Sequence, residues 1–141
     1  MNNNRTDELS HAECDVLALE AVKLLAEKLA LDIKMFDVRE HTSVTDFYVN
    51  ATGKSLTHVA SLADDLVENF DARGQRALRV EGKRGNSWIL VDFGSLIVNI
   101  FDSESRGFYN FDRLLPAECE RSTEEAIRSV DKKYDVTIID D

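Results

Sequence analysis

The stretch TDFYVNATGKS, from Thr45 to Ser55, decides the fold because a strand pattern gives way to a helix start inside it. From Asp46 to Thr52 two kinds of side chain alternate, which predicts a strand with two different faces. Ser55 is a favourable N-cap for a following helix. We therefore expect the chain to pass from a sheet into a helix at Gly53-Lys54-Ser55.

Patterns on both sides of this stretch predict an α/β fold. Apolar residues at helical spacing predict one helix over residues 16–31 and a second that runs from Ser55 to a stop at Gly74. The predicted strands are Ile33–Val38, Asp46–Thr52, Arg76–Val80, Trp88–Asp92 and Ser95–Phe101. These strands form a mixed five-stranded sheet with the helices mainly on one face. The other face then has little chain left to cover it.

The length of 141 residues suits one domain with a single core. We expect a flexible N-terminal segment at residues 1–15, one domain at 16–116, and a short helix with an acidic tail at 117–141. Ser122 and Glu125 form a capping-box signature for that short helix.

The charge balance narrows the classes of partner. The 27 acidic and 17 basic residues give a formal net charge of −10. Such a surface repels phosphates and attracts basic proteins, although the charge is equally compatible with solubility alone. No apolar run approaches the roughly 20 residues that span a bilayer, and the first residues do not resemble a targeting peptide. We expect a cytoplasmic protein with no membrane contact and little direct contact with nucleic acid.

Cysteine and histidine spacing predicts neither a metal site nor a disulfide framework. Cys14 and Cys119 lie near opposite ends of the chain, and the three histidines share no ligand spacing. We expect no metal and no cofactor.

The Gly53-Lys54-Ser55 sequence matches the end of a phosphate-binding loop. The first glycine of such a loop would fall at position 48, which is Tyr48 inside a predicted strand. The loop pattern therefore fails.

A nucleotidyltransferase would also place a Gly-x-Ser turn between a strand and a helix. Its chemistry needs two acids on a following strand to hold magnesium. Asp64 and Asp65 fall in a predicted helix, and the Asp102-x-Glu104 spacing lies beyond the last strand. We expect no catalysis, and a small nucleotidyltransferase or nucleotide-binding protein is the alternative.

The predicted hairpin over residues 88–101 separates two faces. A two-residue turn at Phe93-Gly94 would pair Trp88 with Asn99 and Leu90 with Ile97. One face is then wholly aliphatic, and we assign it to the core: Ile89, Val91, Leu96, Val98 and Ile100. The other mixes aromatic, aliphatic and polar residues: Trp88, Leu90, Asp92, Ser95, Ile97, Asn99 and Phe101. This mixture suits a partner surface, unless residues 108–115 fold back and bury Trp88.

Two longer stretches carry a family resemblance. DVREHTSVTDFYVNATGKSLTHVASLAD (residues 37–64) and VEGKRGNSWILVDFGSLIVNIFDSESRGFYNFDRLL (residues 80–115) resemble the ribosomal silencing factor family RsfS, also called iojap-like. The resemblance covers residues 16–116. The chain differs from the usual family pattern at Asn99, where a histidine is usual, and at Leu115, where a tryptophan is usual.

The resemblance implies a nucleotidyltransferase-like fold that has lost catalysis. It also implies binding to the large ribosomal subunit through its basic intersubunit-face protein, the fourteenth in the usual numbering. The bound factor would block joining of the small subunit and repress translation in starvation or stationary phase.

The predicted partner-binding residues are Trp88, Leu90, Asp92, Asn99, Phe101 and Arg106. Trp88 is the expected central anchor, and because we place it on the outer face, its truncation is expected to cost the fold little. An apolar face that awaits a partner can also pair with its own copy, so we expect a weak homodimer.

Overall fold

The computed structural model describes residues 8–130. Its strands are β1 (Leu31–Asp37), β2 (Phe47–Gly53), β3 (Arg79–Glu81), β4 (Trp88–Asp92), β5 (Leu96–Asp102) and β6 (Glu120–Arg121). Its α-helices are α1 (Cys14–Glu27), α2 (Leu56–Ala72) and α3 (Ser103–Tyr109), with 3-10 helices at Phe111–Leu114 and Ala117–Cys119. Residues 124–130 are also helical. No helix in this part of the chain is long and apolar enough to cross a membrane.

The strands form one mixed sheet in the order β3-β4-β5-β2-β1-β6. Strands β2 and β5 are parallel, and the other pairs are antiparallel. The prediction of five strands is wrong by one. The sixth strand is two residues long, with Glu120 opposite Phe36, and so short a strand leaves no alternation in the sequence.

Both long helices pack on the same face of the sheet, as the sequence predicts. Their buried residues form one cluster with the aliphatic face of the hairpin, including Ile89, Val91 and Val98, which are 0% exposed. The core therefore lies between this face and the layer of α1 and α2.

The strand-to-helix turn follows the predicted pattern. Ser55 caps α2, since its hydroxyl accepts a hydrogen bond from the His58 amide at 3.0 Å. A Cβ atom at Gly53 would lie 2.7 Å from Cγ2 of Val59. The glycine therefore allows the first turn of α2 to pack directly on the end of β2.

The register of the β4–β5 hairpin differs from the prediction. Trp88 lies opposite Phe101, and Leu90 lies opposite Asn99, because the turn is formed by residues 94 and 95 and not by 93 and 94. The Phe93 amide donates to the Leu96 carbonyl at 2.8 Å, and Gly94 has a φ of +93°. The pairing is displaced by two positions. Since side chains alternate with a period of two, the displacement leaves the two predicted faces unchanged.

The packed part of the chain extends beyond residues 16–116 at both ends. Leu9 is 2% exposed and belongs to the core, as does Ala126. Helix α1 begins at Cys14 and ends before Leu29, whose φ of +68° is left-handed. Residues 1–7 and the predicted acidic tail at 131–141 lie outside the described residues.

Candidate partner-binding surface

A short segment crosses the sheet face opposite α1 and α2. It comprises α3 and the 3-10 helix that follows, residues 103–114, and we call it the crossing segment. Asp102 starts it by capping α3, with Oδ1 accepting from the Ser105 amide at 2.9 Å. The chain therefore turns back over the sheet directly after β5.

The crossing segment meets Trp88 through aromatic contacts. The Trp88 ring centroid lies 4.9 Å from that of Phe101, 4.8 Å from Tyr109 and 6.0 Å from Phe111. Burial raises the pKa of the neighbouring Tyr48 phenol, whose ring packs edge-on against Phe111 at 5.3 Å. The fold-back that the sequence left as an alternative is present, and it leaves Trp88 partly exposed.

Three of the six predicted site residues do not lie on an exposed face. Asn99 and Phe101 are 0% exposed, and Arg106 is 8% exposed. The prediction that these three side chains lie on an exposed face is wrong: Asn99 is hydrogen-bonded to Trp88, and Phe101 packs against Trp88 and Arg106. That they contribute to partner binding stays a prediction. Sequence alternation assigns a residue to a face but does not show what lies over that face.

The other three predicted residues are partly exposed. Trp88 and Leu90 line a shallow pocket with Glu81 and Gly82 at the outer end of the sheet. Asp92 stabilises the hairpin through two hydrogen bonds. Its Oδ1 accepts from the Gly94 amide at 2.7 Å, and its Oδ2 accepts from Arg79 Nε at 3.0 Å. The latter bond raises the pKa of Arg79.

The most exposed apolar residues of this region lie on the crossing segment, and the sequence reasoning did not select them. Phe108 is 79% exposed, Tyr109 50% and Leu114 74%. Phe108 packs edge-on against Tyr109 at 5.1 Å, and Tyr109 in turn stacks on Trp88. We call Trp88, Leu90, Phe108 and Tyr109 the aromatic surface. The available signal was the aromatic run GFYNF at residues 107–111.

A chain of side-chain hydrogen bonds runs beneath the aromatic surface, and we call it the polar network. Trp88 Nε1 donates to Asn99 Oδ1 at 3.0 Å, and Asn99 Nδ2 donates to Asn50 Oδ1 at 3.1 Å. Asn50 Nδ2 donates to Asp112 Oδ1 at 2.6 Å. Asn50 and Asn99 are 0% exposed, so these bonds satisfy amides that water does not reach.

Arg106 closes the other end of the polar network. Its Nε donates to Asp112 Oδ2 at 2.9 Å, and its Nη1 donates to Thr52 Oγ1 at 2.8 Å. Its buried Nη2 makes no hydrogen bond to the described residues, and the carboxylate of Asp32 lies 3.6 Å away. The guanidinium also lies 5.8 Å from the Phe101 ring centroid. Arg106 therefore joins the crossing segment to both β1 and β2.

Side chains of the start of α2 occupy backbone amides that a phosphate could use. The Lys54 amide donates to His58 Nδ1 at 2.9 Å, and Ser55 accepts from the His58 amide. The other ring nitrogen, Nε2, therefore carries the proton that it shares with the Lys28 carbonyl at 2.9 Å. Two of the amides at the start of α2, where a phosphate would bind, are therefore already bonded to the chain's own side chains.

Three of the acidic residues considered as magnesium ligands are bonded to other groups of the chain. Asp64 forms an ion pair with Lys83, Asp65 lies 3.8 Å from Lys28, and Asp102 caps α3. Within residues 8–130, no group of three or more histidine, cysteine, aspartate or glutamate side chains could hold a metal ion.

The fold and the surface together define a class of small α/β proteins in which two helices cover one sheet face and a short aromatic segment crosses the other. Comparison with known proteins gives the family. The model of the RsfS family, described as ribosomal silencing factor during starvation, matches residues 11–138. The chain belongs to the RsfS family.

Individual relatives agree with this assignment. Ribosomal silencing factor RsfS of Haemophilus influenzae is 37% identical over 83 residues, which cover 59% of this chain and 81% of that protein. The mouse protein named mitochondrial assembly of ribosomal large subunit protein 1 is 30% identical over 96 residues, covering 66% of this chain and 42% of that protein.

Solved structures share the fold. A protein of Chromobacterium violaceum superposes with a TM-score of 0.65 at 28% identity, covering 72% of this chain and 82% of the other. A protein of Bacillus halodurans gives a TM-score of 0.67 at 25% identity, covering 78% of this chain and 99% of the other.

Proposed function

We propose that this protein binds the large ribosomal subunit in the cytoplasm, prevents the small subunit from joining, and so represses translation in starvation or stationary phase. The contact on the ribosome is the basic fourteenth protein of the large subunit, on the intersubunit face. The observation that carries the proposal is the exposed aromatic surface in a chain that belongs to the RsfS family.

The aromatic surface has the composition of a protein-binding surface. Aromatic side chains supply much of the binding energy of protein interfaces, and Phe108 and Tyr109 present theirs to solvent. The net charge of −10 favours association with a basic protein. The printed name of the mouse relative, which refers to assembly of the ribosomal large subunit, supports the same subunit as the target.

The proposal includes a nucleotidyltransferase-like fold without transfer activity. The occupied amides at the start of α2 and the partners that Asp64, Asp65 and Asp102 already have support this part. Incubation with magnesium and each nucleoside triphosphate should release no pyrophosphate, and steady turnover would instead establish the nucleotidyltransferase alternative.

A weak homodimer belongs to the same proposal. An aromatic surface without a partner can pair with its own copy about a two-fold axis. Light scattering should show the dimer at high micromolar concentration, and a monomer at all concentrations would remove this part.

The direct test is co-sedimentation with purified ribosomal particles. We expect the protein to sediment with large subunits and not with small subunits or joined ribosomes, because the small subunit covers the intersubunit face. Equal sedimentation with large subunits and joined ribosomes would exclude binding at that face.

A further inference from the structure

We propose that Asp112 and Arg106 are positioning residues: they hold the crossing segment against the sheet and thereby keep Phe108 and Tyr109 beside Trp88. The inference rests on the proposed function, because it concerns how the surface that meets the ribosome keeps its shape. It also moves Arg106 from the predicted partner contacts to a role beneath the surface.

The crossing segment has little apolar anchorage of its own. Between residues 103 and 114 the one buried residue is Arg106, and the 3-10 helix Phe111–Leu114 has none. Tyr109 and Phe111 touch Trp88 but remain exposed or partly exposed. A segment with so few buried apolar contacts is expected to open easily unless polar contacts hold it.

Asp112 and Arg106 supply those polar contacts. Asp112 accepts from Asn50 on β2 at 2.6 Å and from Arg106 at 2.9 Å. Arg106 donates to Thr52 on β2 at 2.8 Å and lies 3.6 Å from Asp32 on β1. Each residue is thus bound both to the sheet and to the other, and hydrogen bonds between charged groups are the stronger ones.

The same contacts extend to the indole of Trp88. Asp112 is the acceptor at the end of the series that runs through Asn50 and Asn99 to Trp88 Nε1. Without that carboxylate the buried Asn50 amide would lack an acceptor, which is costly away from water. Loss of Asp112 should therefore disturb Trp88 as well as the segment above it.

The test is the variant Asp112→Asn, which keeps the size of the side chain and replaces one acceptor oxygen by a donor. Trp88 is the single tryptophan, so its fluorescence reports directly on this site. We expect red-shifted emission, stronger quenching by acrylamide and faster amide exchange over residues 103–114. Binding to purified large subunits should weaken about tenfold, as for loss of a charge-assisted hydrogen bond.

Two further variants sharpen the test. Asp64→Asn, on α2, removes an exposed ion pair with Lys83 and should leave fluorescence, exchange and binding unchanged. Arg106→Gln should loosen the segment as Asp112→Asn does. The double variant should weaken binding by less than the product of the two single effects, because the two changes share the Arg106–Asp112 contact.

The outcomes separate this inference from the proposed function. Unchanged fluorescence and exchange in Asp112→Asn would overturn the positioning role, and so would a loosened segment that binds large subunits normally. If the unmodified protein does not bind large subunits, the proposed function fails, while fluorescence and exchange still decide whether Asp112 holds the segment.

Discussion

At the scale of single residues, Trp88 belongs both to the fold and to the aromatic surface. Its indole N–H donates to the buried Asn99, and its ring packs at a tilt against Phe101 and Tyr109. The rest of the ring lines the pocket beside Leu90. Trp88 therefore couples the interior of the sheet to the surface that we propose meets the ribosome.

Trp88→Ala is expected to affect stability and binding together. The side chain is partly buried, so the variant should lose about 2–3 kcal/mol of unfolding free energy, below the cost of truncating a fully buried tryptophan. Binding to large subunits should weaken at least about tenfold. Thermal melting and co-sedimentation on the one variant measure both. A fully stable variant with weakened binding would show that the ring contributes to the surface and not to the fold.

Phe108→Ala separates binding from stability. The side chain is 79% exposed, so the change should alter unfolding free energy by less than about 0.5 kcal/mol. It should nevertheless weaken large-subunit binding several-fold, because an exposed aromatic is a typical interface anchor. Val16→Ala, a 43% exposed site on α1, is the matched control and should bind normally. Equal binding by both variants would place the interface away from the crossing segment.

In the hairpin, the sequence predicts the direction of each side chain but not its burial. Alternation along the hairpin correctly separates Ile89 and Val91 from Trp88 and Leu90, because side-chain direction in a strand is a local property. It could not show that Phe101 is covered, since that depends on contacts with the crossing segment.

At the scale of elements, the turn from β2 to α2 is specified locally. The alternation before Gly53 and the cap at Ser55 predict the boundary, and both act within a few residues. The two-residue strand β6 depends instead on a distant segment, because it exists only through its pairing with β1. The left-handed end of α1 at Leu29 is local, since the Leu29 and Ala30 amides donate to the Ala26 and Leu25 carbonyls, but a leucine does not signal that conformation as a glycine would. Such features leave no period in the sequence.

Gly53→Ala tests whether the absence of a side chain at residue 53 is needed for α2 to pack on the end of β2. The added methyl group would lie 2.7 Å from Val59 Cγ2 and 2.9 Å from the Val59 amide nitrogen, so α2 must shift. We expect a loss of about 1–3 kcal/mol of stability by chemical denaturation. Lys54→Ala, at an exposed position in the same turn, is the control and should melt normally. A Gly53→Ala protein as stable as the unmodified one would refute the packing role.

At the scale of the whole molecule, the two faces of the sheet differ in composition. One face packs against α1 and α2 and forms the core, and on the other the polar network lies beneath the aromatic surface. The sequence predicted the α/β class and the helical face because composition and periodicity determine them. The sequence did not predict the polar network, because Asn50, Asn99 and Asp112 are far apart in the chain and meet only in the folded protein.

The net charge predicts a salt-dependent association. An acidic protein and a basic ribosomal protein attract each other over about 10 Å at 0.1 M salt but over about 3 Å at 1 M. Association with the isolated basic partner should slow several-fold as salt rises, while dissociation changes less. Surface plasmon resonance over a salt series measures both rates. Salt-independent association would rule out the proposed role of charge.

Subunit joining, followed by light scattering, shows whether the protein keeps the ribosomal subunits apart as proposed. Large subunits are incubated with excess protein, small subunits are added, and the rise in scattering is recorded. We predict that the unmodified protein suppresses the rise and that Phe108→Ala suppresses it only at higher concentration. A normal rise at concentrations of the unmodified protein that saturate the large subunits would contradict the account.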